Sequence, residues 1–164
     1  MIHVPDDVRN TIGKALGRIP SGLFVLTAAH GGQSTAMLAS WVQQTSFQPP
    51  TVTIAITRDR PIVQLISQSG KLALSIVPEK DTALMKRYAR GVKPDEDAFE
   101  GMKVSQTPAG LPVFSDAVAW LECSLLKVFE FNADHDLYVA QVTAGQLLHE
   151  GQSFTHQRGN GFHY

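Results

Sequence analysis

Apolar residues recur at helical spacing near the start of the chain and at strand spacing through most of the rest. Val8, Ile12, Ala15, Leu16 and Ile19 share one face of a helix predicted over 6–18, which Pro20 and Gly22 end. An aliphatic and β-branched run over 23–29 predicts a strand. Gly31-Gly32 marks a turn, and a second strand is expected over 35–45. Pro49-Pro50 breaks it, and Thr-Val-Thr-Ile-Ala-Ile-Thr over 51–57 has strong β propensity. A short helix fits 61–68, with Pro61 in its first turn and Ser69-Gly70 closing it. A strand follows over 72–77, then a helix over 81–89 that Asp81 is placed to cap. Residues 90–97 carry Gly, Pro and three acids and read as an exposed loop; 101–111 are irregular with one short strand. Two long strands, 117–131 and 135–148, are joined by Asn132-Ala133-Asp134, and the tail places Phe154, Phe162 and Tyr164 around a Gly-rich bend. Strands outnumber helices and short turns join them. The expectation is a mainly β protein of one domain, 1–164, in which an antiparallel barrel carries a few peripheral helices. Closure would also hide the sheet edges.

Composition narrows the function. The chain has 164 residues, 43% hydrophobic and 18% charged, as expected of one globular domain. Its longest apolar runs, 23–29 and 52–56, are too short to cross a bilayer, and no signal-peptide pattern opens the sequence. One cysteine, Cys123, allows no internal disulfide and fits a reducing cytoplasm. Formal net charge is -1, and Lys and Arg form no cluster larger than Lys86-Arg87. Neither nucleic acid nor membrane is an expected partner. No Walker loop, no Gly-x-Gly-x-x-Gly after a strand, no Gly-x-Ser-x-Gly elbow and no zinc spacing occurs. P-loop, Rossmann, hydrolase and metal readings therefore fall away, and no metal ligand is assigned.

The stretch from Gln33 to Phe47 is the informative one. It combines small residues, hydroxyls and amides just before the Pro-Pro break. Small side chains let a flat ligand approach the backbone, and the hydroxyls of Thr45 and Ser46 are suited to donate to a phosphate. Composition alone equally describes a partly exposed strand whose Thr and Ser merely favour β structure.

The block Ala36-Met37-Leu38-Ala39-Ser40-Trp41-Val42-Gln43-Gln44-Thr45-Ser46-Phe47-Gln48-Pro49-Pro50, followed by 52–56 and Asp59-Arg60-Pro61-Ile62, resembles the flavin reductase-like family. It is especially similar to the flavin reductase module of cyanobacterial flavodiiron proteins. Gly17-Arg18-Ile19-Pro20-Ser21-Gly22, Ser69-Gly70-Lys71, residues 115–123 and the terminal Gly161-Phe162-His163-Tyr164 extend the resemblance over essentially the whole chain. The resemblance implies a split β-barrel, a homodimer, bound FMN (or FAD), and NADH or NADPH as hydride donor. It implies that Ala39, Ser40, Trp41 and Val42 line the isoalloxazine. Thr45 and Ser46 would sit near the phosphate, with Arg60 or Lys71 as charge partner beside Ser69 and Gly70. Ser34 and Thr35 would approach the ribityl chain or ring edge. Family members often carry Gly-Asp-His, whose histidine lies by the nicotinamide; here Asn132-Ala133-Asp134-His135 replaces the glycine by Ala133, which resists positive φ.

Three readings of the activity follow. One is an NAD(P)H-dependent flavin reductase serving a partner oxygenase or oxidase, with His135 orienting the nicotinamide. Another is an FMN-binding electron-transfer or flavin-holding protein without NAD(P)H activity, and the third a dimerisation module that has lost flavin. Plainer roles stand beside the functional ones: Trp41 as a core or interface aromatic, Cys123 as a buried small hydrophobe, Lys86, Arg87 and Arg90 as a solvated helix face. His156, Arg158 and His163 read as a surface tail or as a lid over the flavin.

Overall fold

The computed structural model describes residues 4–80 and 82–163. Its elements run α1 (Asp6–Leu16), β1 (Ser21–Gly22), β2 (Phe24–His30), β3 (Gln33–Ala39), β4 (Val42–Phe47), β5 (Pro50–Thr57), α2 (Pro61–Ser69), β6 (Lys71–Ile76) and α3 (Ala83–Tyr88). There follow β7 (Val104–Gln106), β8 (Pro112–Phe114), β9 (Ala119–Phe129), β10 (His135–Leu147) and β11 (Thr155–His156). Asp81, the expected cap of α3, and Tyr164 lie outside the described residues.

A seven-stranded antiparallel sheet carries the order β3-β2-β6-β9-β10-β5-β4 and curls into a split barrel. The chain passes directly from β3 at one edge to β4 at the other. A single strand over 35–45, as the sequence suggests, cannot belong to both edges, so it breaks at Ser40 and Trp41. The Ala55 N–H still donates to the Trp41 carbonyl at 3.0 Å, which ties the break to β5.

Inside the barrel, alternate residues Val52, Ile54 and Ile56 of β5 meet Leu26, Leu72, Leu74, Cys123 and Tyr138. Helix α2 adds Ile62, Leu65 and Ile66 to this core. Pro61 opens α2, and Gly70, at φ 65, ends it in the left-handed conformation that glycine tolerates best. Each such buried aliphatic side chain contributes roughly 1.5–3 kcal/mol. Strand β2 is buried on both faces, which explains its unbroken apolar run. Val25 joins a second core with Leu84 and Tyr88 of α3, Ala98 and Phe114. The buried Glu122 carboxylate accepts from the Ala109 N–H at 2.8 Å and from the Thr143 hydroxyl at 3.1 Å, fixing the loop between β7 and β8 to the barrel.

Helix α1 departs from its amphipathic promise. Val8 and Ile12 remain 43% and 37% exposed. The helix instead presents glycines to the C-terminal tail: the Arg158 N–H donates to the Gly17 carbonyl at 3.1 Å and the Gly161 N–H to the Gly13 carbonyl at 2.6 Å. A Cβ at Gly161 would overlap the Leu16 side chain, and one at Gly17 would press on the Arg158 carbonyl. The tail also pairs β11 with β1, setting His156 opposite Ser21.

The turn between β9 and β10 is held by Arg58, just after β5. Its Nε donates to both Asp136 carboxylate oxygens, at 2.9 and 3.0 Å, and its Nη2 to the Phe131 carbonyl.

Two predictions follow from these contacts. Gly161→Ala should detach the tail from α1 while leaving the barrel folded: proteolysis should clip the tail faster, with little change in cooperative unfolding. Asp136 supplies the second. Its hydrogen bonds to Arg58 hold its carboxyl below the ordinary 3.8 against the opposing effect of burial. A lowered folded-state value means stabilisation that is complete above the unfolded value and lost as pH falls through the folded one. Asp136→Asn should therefore flatten the part of the stability curve below about pH 4, read from urea midpoints across the acid range.

Candidate functional site

The break in the barrel opens a cavity of about 460 Å³, within the range of small-molecule sites. Leu23, Met37 and Leu38 supply an apolar surface, and Ala39, Ser40 and Trp41 bring the chain across the split beside it. Thr57, Arg60 and His135 line another side, Met85, Tyr88, Ala89, Arg90 and Gly91 come from α3 and the loop after it, and His156 comes from the tail. Ala39 and Ser40 are buried, and their small side chains keep the backbone close to the cavity.

His135 begins β10 opposite Thr57 of β5. Its Nδ1 lies 2.9 Å from an Asp134 carboxylate oxygen, and the hydrogen bond to His135 is the main cause that holds the Asp134 carboxyl below its ordinary range. An ionised carboxylate only accepts, so Nδ1 is the donor in this hydrogen bond. The imidazole packs against Trp41, ring centroids 4.7 Å apart at 50°, and the Arg158 guanidinium carbon lies 4.8 Å from the centre of the Trp41 ring. A cation over an indole face is attracted by the ring quadrupole. Among the described residues no non-glycine position has a positive φ, so Ala133 sits in ordinary backbone space and His135 reaches the cavity without the family's glycine.

The tail contributes more than a surface appendage would. Burial, and next the charge of Arg158, push the His156 imidazole below its ordinary value, which favours its neutral form. His163 is exposed and does not line the cavity. Arg60 donates from Nε to the Thr57 hydroxyl at 3.2 Å and forms no ion pair among the described residues. Arg87, read from sequence as part of a solvated helix face, is instead largely covered and pairs with Glu96 at 3.1 Å. Cys123 is fully buried, and burial pushes its thiol up to about 12, so it packs as a small apolar group.

Of the residues singled out in the sequence, Ala39, Ser40, Trp41, Arg60, Arg90, His135 and His156 come together on this cavity. The others lie off its lining in the single chain. Ser34 and Thr35 occupy the far end of β3, opposite Ala29 and Ala28. Val42 opens β4 opposite Ile54. The Thr45 hydroxyl is 3.0 Å from that of Thr51, and Ser46 is registered against the same residue on the exposed β4 arm. Ser69 caps its own turn by accepting from the Lys71 N–H at 3.1 Å, next to Gly70, and the Lys71 side chain is exposed. The sequence alone did not nominate Leu23, Thr57, Met85, Tyr88 or Gly91. Their only sequence signals were apolar or turn positions, and sheet curvature brings them to the split.

Comparison with known proteins agrees with this geometry. Residues 16–161 match the family model described as Flavin reductase like domain. Diflavin flavoprotein A 1 of Synechocystis sp. is 39% identical over 153 residues, covering 92% of this chain and 26% of that protein. The chain thus spans about a quarter of the length of the curated relatives it matches. Among solved structures, the NADH:FAD oxidoreductase SgcE6 of Streptomyces globisporus C-1027 superposes with a TM-score of 0.84 at 22% identity, covering 96% of this chain and 93% of that one. The same protein has been solved in complex with NAD and FAD fragments. The styrene monooxygenase flavin reductase SMOB of Pseudomonas putida S12 reaches a TM-score of 0.73 at 26% identity, covering 88% of this chain and 90% of that one. With its split barrel and this extent of match, the chain belongs to the flavin reductase-like domain family.

Proposed function

We propose that this chain passes a hydride from NADH or NADPH to FMN, or FAD, held in the cavity at the split of the barrel. The carrying observation is the convergence on one cavity of a small-residue backbone segment (Ala39, Ser40), an aromatic–imidazole pair (Trp41, His135) and a cation (Arg60) that forms no ion pair among the described residues. That donor set fits a flat heteroaromatic ring with a phosphorylated tail. When bound, the flavin supplies the hydride acceptor, so the protein's contribution is binding, orientation and electrostatics.

Ser40 and its neighbours offer backbone and hydroxyl groups to the edge of a ring lying on Leu23, Met37 and Leu38. Arg60 offers its guanidinium to a phosphate in a charge-assisted bond. The His135 imidazole, held by Asp134 and packed against Trp41, is placed to orient a nicotinamide carboxamide. Such positioning, rather than proton transfer, is what the site adds to the rate. The flavin-holding alternative rested on the altered turn, and the position of His135 on the cavity wall favours the reductase reading.

A homodimer belongs to the same proposal. The arm of β4 ends in Phe47, 90% exposed, with its outer edge free of partner strands among the described residues. A second copy on this arm would give Thr45 and Ser46 a route to a flavin that they lack in one chain. The relatives are diflavin flavoproteins several times longer than this chain, which supports an acceptor that is a partner oxidase or oxygenase, or a module of one.

The test is flavin uptake followed by anaerobic titration with each nicotinamide nucleotide. A yellow protein bleached by NADH or NADPH is expected. Flavin that stays oxidised supports the flavin-holding alternative, and a protein taking up no flavin overturns both. Arg60→Ala should weaken FMN binding roughly tenfold to a hundredfold while leaving riboflavin nearly unchanged, the loss expected for one hydrogen bond to a charged group. His135→Ala should raise KM for the nicotinamide nucleotide with little effect on flavin affinity.

A further inference from the structure

Three guanidinium groups, those of Arg60, Arg87 and Arg90, lie on or beside the mouth of the cavity, and one acidic side chain answers them among the described residues. Arg60 and Arg90 line the cavity, and Arg60 lies close enough to Gly91 that a Cβ there would touch its Nη1 at 3.9 Å. The Glu96 carboxylate takes both ends of Arg90, with Nη1 at 3.2 Å from Oε2 and Nη2 at 2.5 Å from Oε1. The same Oε1 is 3.1 Å from Arg87 Nη2, and Oε2 also accepts from the Lys93 N–H at 3.3 Å. Asp97 offers Arg87 its backbone carbonyl, at 2.9 Å, while its carboxylate accepts from the Phe99 N–H. Arg87 Nη1 is buried without a hydrogen-bond partner among the described residues.

Two guanidiniums converging on one carboxylate oxygen, with a donor left over, make the geometry of an oxyanion receptor whose guest is part of the chain. Phosphate has the same planar-fork complementarity to arginine as carboxylate, with one more oxygen and more charge. Arg90 is also the member able to turn. Its side chain is 57% exposed, whereas Arg87 and Glu96 are mostly covered. Gly91 follows it at φ 77, and the loop beyond, Lys93 to Asp95, is exposed.

We propose that Glu96 is a specificity-determining residue: an internal counter-anion that holds Arg90 when the cavity lacks a nucleotide and yields it to the phosphate or pyrophosphate of an incoming one. Arg60 and Arg90 then grip that group from both sides of Gly91. Exchange of Glu96 for phosphate makes binding conditional on a phosphorylated ligand and disfavours phosphate-free flavin analogues, because Arg90 stays with Glu96 when nothing competes for it. The proposal deepens the flavin-nucleotide reading of the cavity and rests on it for the identity of the ligand, though not for the exchange itself.

The experiment uses the full chain and compares wild type, Glu96→Gln, Arg90→Ala and the double variant. Titrants are inorganic pyrophosphate, riboflavin, FMN and FAD, then NADH and NADPH with flavin already bound; unfolding curves are recorded for each protein. Glu96→Gln is expected to tighten pyrophosphate and at least one phosphorylated ligand roughly threefold to tenfold, the scale of a partly exposed ion pair released from competition. Riboflavin should be unaffected, and the gain should vanish in the Arg90→Ala background. Tightening confined to FMN and FAD assigns the group to the flavin, and tightening confined to NADH or NADPH assigns it to the nicotinamide nucleotide. If Glu96→Gln leaves every affinity unchanged, or weakens riboflavin, FMN and pyrophosphate alike, Glu96 is a loop staple and the proposal is overturned. Failure of all flavins to bind wild type would overturn the flavin reading, while the pyrophosphate arm would still decide the exchange.

Discussion

The organising constraint is that β3 and β4 are consecutive in the chain yet occupy opposite edges of one sheet. Two residues, Ser40 and Trp41, must carry the backbone from edge to edge, and no ladder joins the strands they leave and enter. The hydrogen bond from the Ala55 N–H to the Trp41 carbonyl stops the split from widening. Because the backbone there is out of the ladder, it has polar groups to offer a ligand, and because the flanking side chains are small, a ligand can reach them. The cavity is thus a consequence of incomplete closure. A fully closed barrel of the same strands would fill this space with side chains.

Rigidity and mobility divide along the same line. The walls at Ala39, Thr57 and His135 stand on strands whose inner residues are fully buried, and close-packed interiors resist displacement. The mouth is different: α3 runs six residues and is followed by the exposed loop that Glu96 ties down. The proposed reductase must hold one ring accurately and exchange another ligand freely. Placing the aromatic–imidazole pair on the barrel and Arg87 and Arg90 on α3 and the loop after it separates those demands. The C-terminal tail ties the barrel to the end of α1, since Arg158 leans on Trp41 while its N–H donates to the Gly17 carbonyl.

Electrostatics at the site is local. With a formal net charge of -1, attraction of an anionic ligand depends on which guanidiniums are already engaged. Arg58 is committed to Asp136 and the turn that carries His135. Arg90 is committed to Glu96, and Arg60 bonds a neutral hydroxyl. The first pairing shapes the turn beside His135, and the other two set the charge at the mouth.

Most elements could be read from the sequence because their signals are local. The β5 alternation, the Pro61 and Gly70 ends of α2 and the paired long strands β9 and β10 each follow from a few neighbouring residues. The small-residue segment at Ala39 and Ser40 stood out for the same reason, and so did its resemblance to one family. Three features depended on residues distant in the chain and were set by tertiary structure. The strand expected over 35–45 broke because its halves pair with β2 and β5 on opposite edges. The apolar stripe of α1 stayed exposed because glycine contacts with the tail, rather than hydrophobic burial, dock that helix. Arg60, Arg90, His135 and His156 became neighbours of one cavity only because a curved sheet and a returning tail bring their elements together. Local pattern specifies which backbone conformations are favourable, but the pairing of edges and the partners of each charge are decided by which distant surfaces can be buried together.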